Sequence, residues 1–380
     1  MDVASNILLA WRAIAAGVVA KTTQTREKYW HHWSSYASVC GIDPFLPDDI
    51  PALERDIIVT AFAARVRTGS YGRGAQIRVQ GVTDALASIS KTIELAGQQS
   101  SIYRADQKYT LPIERMVEGL RREDPPSVPQ LAVPVTVAHH AMAEGMFFAE
   151  SEKLKATGCL ASIAFYFLLR VGEYTKPRYV IRGNKKVRAT RTVQFTVGNI
   201  GFFKNGKTVP RTSSLATLLS CDAATLKISN QKNGRMGDVI HQKATGKDGC
   251  PITALAHRIH HILSHNGTIN NLICDYFEDE VWNSIESKDM VKIVRHSVKC
   301  LNLHENGIDP DLVGSHSLRA GGAMALKLHK HSDTTIKKMG RWSSLTFLQY
   351  IHSQIAHLSE DISMDMSIPL PFLNIATIAH

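Results

Sequence analysis

HSLRAGGAMALKLH, residues 316–329, predicts a helix that begins with a histidine and an arginine three positions apart. Side chains three apart lie on one face of a helix, so His316 and Arg319 are expected to face the same group, with Ser315 as a candidate N-cap. A guanidinium can donate two parallel hydrogen bonds to phosphate oxygens. The HxxR pattern is weak alone, because it often arises by chance on surface helices, and its meaning depends on the surrounding sequence.

Three further stretches carry side chains of related chemistry: LLRVGEY (168–174) with Arg170, ISNQKNGR (228–235) with Lys232, and GRWSSLTFLQY (340–350) ending at Tyr350. With the HxxR pair they supply two guanidiniums, an ammonium, an imidazole and a phenol. This set can break and rejoin a phosphodiester through a tyrosine. Lys232 precedes Asn-Gly, which favours a hairpin turn, and a lysine there can reach a neighbouring site to protonate a leaving oxygen.

Each of these side chains also has a plainer interpretation. Tyr350 alone would be a packing residue, and Lys232 alone would be a solvated lysine on a hairpin, with Lys227 on the preceding strand as the reserve candidate. A tyrosine of ordinary pKa, about 10, needs a cationic pocket or a nearby base to attack phosphorus at neutral pH. The two arginines and His316 can supply both.

In order, spacing and residue type, these stretches resemble the phage-integrase-type tyrosine recombinases over about 180 residues. The resemblance rests on an arginine with a following acid, a hairpin lysine, HxxR, a glycine followed by histidine or tryptophan, and a tyrosine ten residues after that glycine: Arg170, Glu173, Lys232, His316, Arg319, Gly340, Trp342 and Tyr350. The segments GRWSS (340–344) and CPITAL (250–255) are more similar to those of eukaryotic mobile-element recombinases of the crypton sort than to those of bacterial chromosome-dimer resolvases.

The sequence departs from the family pattern at one position. The residue directly after Gly340, where the family commonly has histidine or tryptophan, is Arg341, and Trp342 follows one residue later. Either Trp342 donates its indole N–H to phosphate from a longer turn, or Arg341 takes that role. Both assignments stay open, with Trp342 preferred.

The resemblance implies a clamp on double-stranded DNA and a reaction that needs no metal, ATP or other cofactor. Tyr350 would form a 3′-phosphotyrosine, Arg170 and Arg319 would stabilise the transition state, and Lys232 would protonate the leaving 5′-oxygen. His316 would assist removal of the phenolic proton, and Glu173 would orient the site. Strand exchange would involve four copies of the chain on two DNA sites, as a homo-tetramer.

The periodicity of apolar residues predicts a mainly α protein with a small antiparallel β-sheet. The predicted helices span residues 22–40, 51–67, 76–96, 113–120, 136–148, 153–170, 251–264, 288–302, 316–329, 333–340 and 344–352. Strands are expected at 192–197 and 225–229, with a turn at Asn205-Gly206. Prolines between Glu123 and Pro129 forbid helix and indicate an extended connector.

With the resemblance, this organisation predicts four parts of the chain. Residues 1–122 form an all-helical core-binding domain that clamps DNA, and residues 123–135 form a proline-rich linker. Residues 136–352 form an α+β catalytic domain, and residues 353–380 form a C-terminal tail that either docks on another protomer or is disordered.

The charge of the chain favours a polyanionic partner. Lysine and arginine total 44 against 34 acidic residues, a formal net charge of +10, although many soluble proteins are basic without binding DNA. The candidate DNA-binding residues are Arg73 and Arg78, at a glycine-rich loop, and Lys185, Lys186 and Arg188, in a basic stretch. A plain flexible connection, a solvated loop and a nuclear import signal are the alternatives.

Several classes of protein and site are disfavoured by the sequence. The six cysteines show no CxxC pair and no zinc-ligand spacing, and His257, His260 and His261 lack a matching cysteine or acid, so no metal site is predicted. The longest apolar run, 160–169, is half a membrane span, and a basic leader is missing. An intracellular protein is expected, in the nucleus of a eukaryote or the cytoplasm and nucleoid of a bacterium.

Two other activities fit much of the same pattern. A type IB topoisomerase uses similar residues to relax supercoils as a monomer, and a mobile-element protein that has lost catalysis would still bind DNA. The filled catalytic positions favour an active enzyme, and the two-domain layout and the tail favour a recombinase.

Overall fold

The computed structural model describes residues 6, 9, 10, 17, 18, 20–72, 74–125, 130–148, 150–182, 184–190, 192–229, 237–345 and 348. The described residues form two compact units, one within Met1–Ser127 and Arg178–Thr190 and the other within Val128–Pro177 and Arg191–His380. Helices dominate both, and the sheets are small and antiparallel, which confirms the predicted fold class. No described helix has both the length and the apolar character that crossing a bilayer requires.

The first unit contains four long helices and one β-hairpin: α1 (Ala20–Val39), α2 (Ala52–Arg67), α3 (Val79–Leu95), α4 (Leu111–Glu123), β1 (Tyr179–Arg182) and β2 (Lys185–Arg188). Its core contains Trp33 and Phe62, whose rings meet edge to face at 5.2 Å, and the apolar stripe of α3 packs on them. The helices follow the predicted ones closely. The hairpin is an addition, because residues 178–190, in the middle of the chain, belong to this unit.

The second unit contains the remaining elements: α5 (Val135–Ala143), α6 (Glu152–Tyr166), α7 (Val171–Tyr174), β3 (Ile200–Lys204), β4 (Lys207–Val209), α8 (Leu215–Leu219), β5 (Ala223–Lys227), β6 (Val239–Lys243), α9 (Pro251–Ser264), β7 (Asp275–Glu278), β8 (Val281–Ser284), α10 (Ser287–Cys300), α11 (Ser317–Leu328) and α12 (Asp333–Gly340). A π-helical turn, Glu144–Phe148, follows α5. Short 3-10 turns occur at Val197–Asn199, Leu303–Asn306 and Pro310–Leu312.

Helix α6 lies at the centre of this unit, and every residue from Ala156 to Phe165 is buried. Two glycines let neighbouring helices approach closely. A β-carbon at Gly158 would overlap the carbonyl oxygen of Ala141 on α5, and one at Gly322 on α11 would overlap that of Phe165. The glycines of the RAGGA segment therefore allow α11 to pack backbone to backbone against the end of α6.

The four-stranded sheet has the order β4-β3-β5-β6, with all neighbours antiparallel. Asn205 and Gly206 join β3 to β4 with φ values of 51° and 75°, as a type I′ turn requires, so the predicted turn is confirmed. Strands β5 and β6 also form an antiparallel pair, and Lys232 lies in the connection between them.

The strand predicted at residues 192–197 is wrong. This segment is largely buried, but its backbone is satisfied elsewhere: Phe195 N–H donates to the Glu173 carbonyl at 2.9 Å and Val197 N–H to the Asn271 carbonyl at 2.9 Å. The side chain of Gln194 donates to the Gly172 carbonyl at 2.9 Å. The segment therefore hydrogen-bonds to α7. The first strand of the four-stranded sheet begins only at Ile200.

Candidate active site

Arg170 is placed by a break in the chain directly after α6. Helix α6 ends at Tyr166, Leu168 adopts a left-handed φ of 50°, and Arg170 becomes the N-cap of the short helix α7. The predicted helix over 153–170 is therefore too long, and Arg170 is not on it. This position lets the Arg170 backbone N–H donate to Glu173 Oε2 at 2.8 Å and its Nη1 donate to Glu173 Oε1 at 3.2 Å.

Glu173 is buried, with a side chain 2% exposed, and it binds a second guanidinium. Arg341 Nη2 donates to Glu173 Oε2 at 2.7 Å. Burial lowers the pKa of Arg341 from its ordinary value, and the negative charge of Glu173 opposes that shift. A single buried carboxylate thus lies between two arginines that are separated by about 170 residues of sequence.

Arg319 brings a third guanidinium to the same place. It is 2% exposed, its Nη1 donates to the Leu168 carbonyl, and its Nη2 donates to the Gly340 carbonyl at 2.5 Å. Its guanidinium carbon lies 4.2 Å from the centre of the Trp342 ring, a cation–π contact. Arg319 therefore ties the turn before Arg170 to the turn after α12. We call Arg170, Glu173, Arg319, Arg341 and Trp342 the arginine cluster.

The turn at Gly340 explains why both Arg341 and Trp342 reach the cluster. A β-carbon at Gly340 would overlap the Trp342 ring, and Arg341 adopts a left-handed φ of 59°. Consecutive side chains are then directed to different partners, Arg341 to Glu173 and Trp342 to Arg319. Arg341 and Trp342, the two candidates for the histidine or tryptophan position of the family pattern, therefore contact different residues.

His316 lies at the beginning of α11. Helix α11 begins at Ser317, with the exposed His316 at its N-cap position, and the His316 backbone N–H donates to Gln130 Oε1 at 3.0 Å. Ser315 is therefore not the N-cap. The imidazole is exposed whereas the Arg319 guanidinium is buried, and convergence of the two on one group stays a prediction.

Three predicted site residues, Lys232, Tyr350 and Arg73, lie outside the described residues, as does the predicted tail, 353–380. The reserve lysine, Lys227, is exposed at the end of β5, where it pairs in register with Val239.

A cavity of about 460 Å³ lies beside the arginine cluster, and it is lined by Arg341, Trp342, two lysines of α12 and the start of β6. Asp238 and Ser343 also line it. Asp238 comes six residues after Lys232 and Ser343 comes seven before Tyr350. The chain segments that carry both predicted groups therefore begin or end at this cavity.

The candidate DNA-binding residues that the structure describes are exposed. Arg78 is the N-cap of α3, and Lys185, Lys186 and Arg188 form most of β2. Lys186 Nζ lies 4.9 Å from the centre of the Tyr179 ring on the paired strand. The β1–β2 hairpin therefore carries Lys185, Lys186 and Arg188. The DNA-binding role of these residues and of Arg78 stays a prediction.

His261 has structural partners, in line with the sequence interpretation of the histidine triplet. Its Nε2 accepts a hydrogen bond from the Phe277 backbone N–H at 2.9 Å, and its Nδ1 lies 3.1 Å from Glu152 Oε2. Burial and the nearby Arg258 lower the pKa of His261 to about 4, against an opposing effect of Glu152.

Because of this lowered pKa of His261, the free energy of unfolding should fall on acidification. The folded pKa lies below the ordinary value of about 6.5, so this contribution to stability is full above about 6.5 and is lost as the pH falls through the folded pKa. Between pH 7 and pH 5 the loss should be roughly 2 kcal/mol. Urea unfolding of wild type and His261→Gln at both pH values measures it, since glutamine cannot titrate. His331→Gln, at an exposed position, is the control, and equal pH dependence in all three proteins would contradict the assignment.

No family model matches the chain, and no curated protein matches it in sequence. The chain is similar in structure to the XerH site-specific recombinase bound to difH substrate in a pre-cleavage complex, with 13% identity and a TM-score of 0.44, covering 82% of this chain and 70% of that one. It is similar to the Tn1549 transposon integrase in complex with transposon right end DNA, with 10% identity and a TM-score of 0.41, covering 82% and 85%. It is also similar to XerA recombinase, with 13% identity and a TM-score of 0.37, covering 94% and 97%. Two of these proteins are named as recombinases and one as a transposon integrase, and at these identities and TM-scores the similarity carries no conclusion about the substrate or activity of this chain.

Proposed function

We propose that this chain is a site-specific DNA recombinase that cleaves and rejoins double-stranded DNA through a phosphotyrosine on Tyr350. In this proposal, four copies act on two DNA sites, and the sequence resemblance supplies the order of the chemical steps. A mobile element is the expected setting, and the reaction would be integration, excision or inversion.

The observation that carries the proposal is the arginine cluster. Segments near residues 170, 319 and 341 are far apart in sequence, yet the structure joins their guanidiniums through Glu173 and the Leu168 carbonyl. Three guanidiniums outnumber the two nearby carboxylates, Glu173 and Asp238, so the site is net positive, which suits a phosphate and the extra charge of its transition state.

Arg170 is the member of the cluster best suited to contact DNA. Its side chain is 22% exposed, and among the described residues its guanidinium donates only to Glu173. A guanidinium has five N–H donors, so most of them are available to a ligand. Arg319 and Arg341 are more buried, and both donate to the Leu168 carbonyl, which joins the turn before Arg170 to the turn after α12.

The roles of the other groups follow from this arrangement and from the resemblance. The Tyr350 oxygen attacks phosphorus and displaces the 5′-oxygen, to which Lys232 gives a proton, while His316 assists removal of the phenolic proton. The bond to tyrosine conserves the energy of the broken phosphodiester, so a 5′-hydroxyl of a second strand can reverse the step and release the tyrosine.

The proposal is tested by covalent trapping on nicked duplexes from a randomised library. Cleavage beside the nick releases a short strand, which leaves a protein–DNA adduct that survives denaturation, and peptide mapping should locate the adduct at Tyr350. Tight binding without any adduct would instead indicate an inactive DNA-binding protein. Adduct formation with relaxation of plasmids that share no site, and without strand exchange, would indicate a topoisomerase-like enzyme.

Arg170→Ala should lower the rate of cleavage by about a hundredfold, because one preorganised donor to the transition state is lost. Arg170→Lys, which keeps the charge without the planar fork, should recover part of that loss. Single-turnover adduct formation at saturating protein measures the rate separately from DNA binding. A change of less than threefold in Arg170→Ala would remove Arg170 from the reaction.

A further inference from the structure

Two helices of the second unit present metal-ligating side chains to each other. His140 and Glu144 lie four residues apart at the end of α5, and His296 and Cys300 lie four residues apart at the end of α10. Residues at this spacing share one face of a helix, and α5 packs directly against α10. Two pairs of N, O and S donors from distant parts of the sequence therefore converge.

Three of these side chains are already within the span of one ion. Glu144 Oε1 lies 2.8 Å from His296 Nε2, Cys300 Sγ lies 3.4 Å from the same nitrogen, and the three ligand atoms all lie within 4.8 Å of one another. Zinc binds nitrogen and oxygen at about 2.0–2.2 Å and sulfur at about 2.3 Å, so ligand atoms separated by roughly 3–4 Å surround it with small side-chain adjustments.

A plain His296–Glu144 ion pair leaves part of this arrangement unexplained. Glu144 Oε2 is buried and has no hydrogen-bond partner among the described residues, and its distance to Nδ1 of His140, 3.8 Å, is too long for a hydrogen bond. Glu144 also begins the π-helical turn, a feature that often marks functional sites. The thiol of Cys300 adds a soft ligand that an ion pair does not need.

We infer that Glu144, His296 and Cys300 bind a Zn²⁺ ion, with water as the fourth ligand. On binding, the Cys300 thiol releases its proton to solvent and the thiolate sulfur bonds to the metal. Glu144 and His296 also line an open cavity of about 470 Å³, which gives the ion a route from solvent. The ion would join the ends of α5 and α10. None of its ligands belongs to the arginine cluster.

The inference is tested on the full chain, stripped of metal with a chelator and kept reduced. Titration with Co²⁺ should saturate at one equivalent and produce a thiolate-to-cobalt charge-transfer band, and Zn²⁺ should displace the cobalt. Cys300→Ser should remove the band, and Glu144→Gln and His296→Gln should each weaken Zn²⁺ binding at least about tenfold. A chromophoric competitor gives the affinities.

Cys40→Ser is the matched control, because Cys40 is the other exposed cysteine and is remote from these residues in sequence. It should leave both the band and the affinity unchanged. Absence of stoichiometric binding, or binding that all three ligand variants retain, would overturn the inference. Thermal unfolding supplies a second readout, since Zn²⁺ should raise the midpoint of wild type and of Cys40→Ser but not of Cys300→Ser.

Discussion

Tyr350→Phe should eliminate the covalent protein–DNA adduct and all strand cleavage, while DNA affinity changes by less than about twofold. The substitution removes the only atom of this side chain that can attack phosphorus and leaves the ring in place. The basic residues proposed to bind the DNA backbone are untouched, and such contacts supply most of the affinity of a DNA-binding protein. Denaturing electrophoresis of trapped complexes measures the adduct, and a filter-binding titration measures the affinity.

Tyr276→Phe is the matched control for this result. Tyr276 lies on β7, away from the proposed chemistry, so loss of its hydroxyl should leave adduct formation unchanged. An adduct that persists in Tyr350→Phe would show that another side chain is the nucleophile. Loss of both DNA binding and cleavage would point instead to a structural role for residue 350.

Glu173→Gln should destabilise the protein by about 3–5 kcal/mol. The carboxylate is buried between Arg170 and Arg341, and the amide keeps its shape but not its charge. Arg341, with a side chain 3% exposed, would then lose its hydrogen-bonded counter-ion and keep only the negative charge of Asp238 nearby, and it cannot shed its charge by deprotonation. Urea-induced unfolding followed by circular dichroism gives the difference in free energy.

Asp333→Asn provides the comparison, because it breaks a solvent-exposed pair with Lys327 in the same unit. Exposed pairs contribute little, so we expect less than about 1 kcal/mol. Equal effects of the two substitutions would mean that the Glu173 pair is not the buried link between α7 and the turn after α12. Glu173→Gln should also slow cleavage, because Arg170 loses the group that orients it.

The sequence predicted helices well where apolar residues recur at helical spacing, as they do along α3. It failed at residues 192–197, where an alternating pattern was read as a strand. Burial does not follow that pattern, since the polar Thr192 and Gln194 are buried as well as Phe195, and the backbone partners are α7 and the loop at Asn271, which are distant in sequence. Local periodicity cannot specify such partners.

For the site, the sequence identified most of the chemical groups but not how they contact one another. Arg170, Glu173, Arg319, Arg341 and Trp342 were all singled out, yet nothing local predicts that Arg319 donates to two carbonyls. The break at Leu168 was missed because a leucine at positive φ has no sequence signal of the kind that glycine or asparagine gives.

The proposed zinc ligands on α5 and α10 also could not be predicted from local sequence. A search for closely spaced cysteines passes over Cys300, because its partner Glu144 is about 150 residues away. The available signal was two separate i, i+4 pairs, His140 with Glu144 and His296 with Cys300, and each is common on surface helices. Only the packing of the helices makes the combination informative.

The hydrogen bond from Arg319 to the Gly340 carbonyl limits the distance that the proposed nucleophile can reach. Trp342 is held next to this hydrogen bond, and Tyr350 is the eighth residue after it. A fully extended chain of that length spans at most about 29 Å. Any phosphate that Tyr350 attacks, whether on the DNA held by its own chain or by a neighbouring copy, must therefore lie within that radius, extended by the tyrosine side chain.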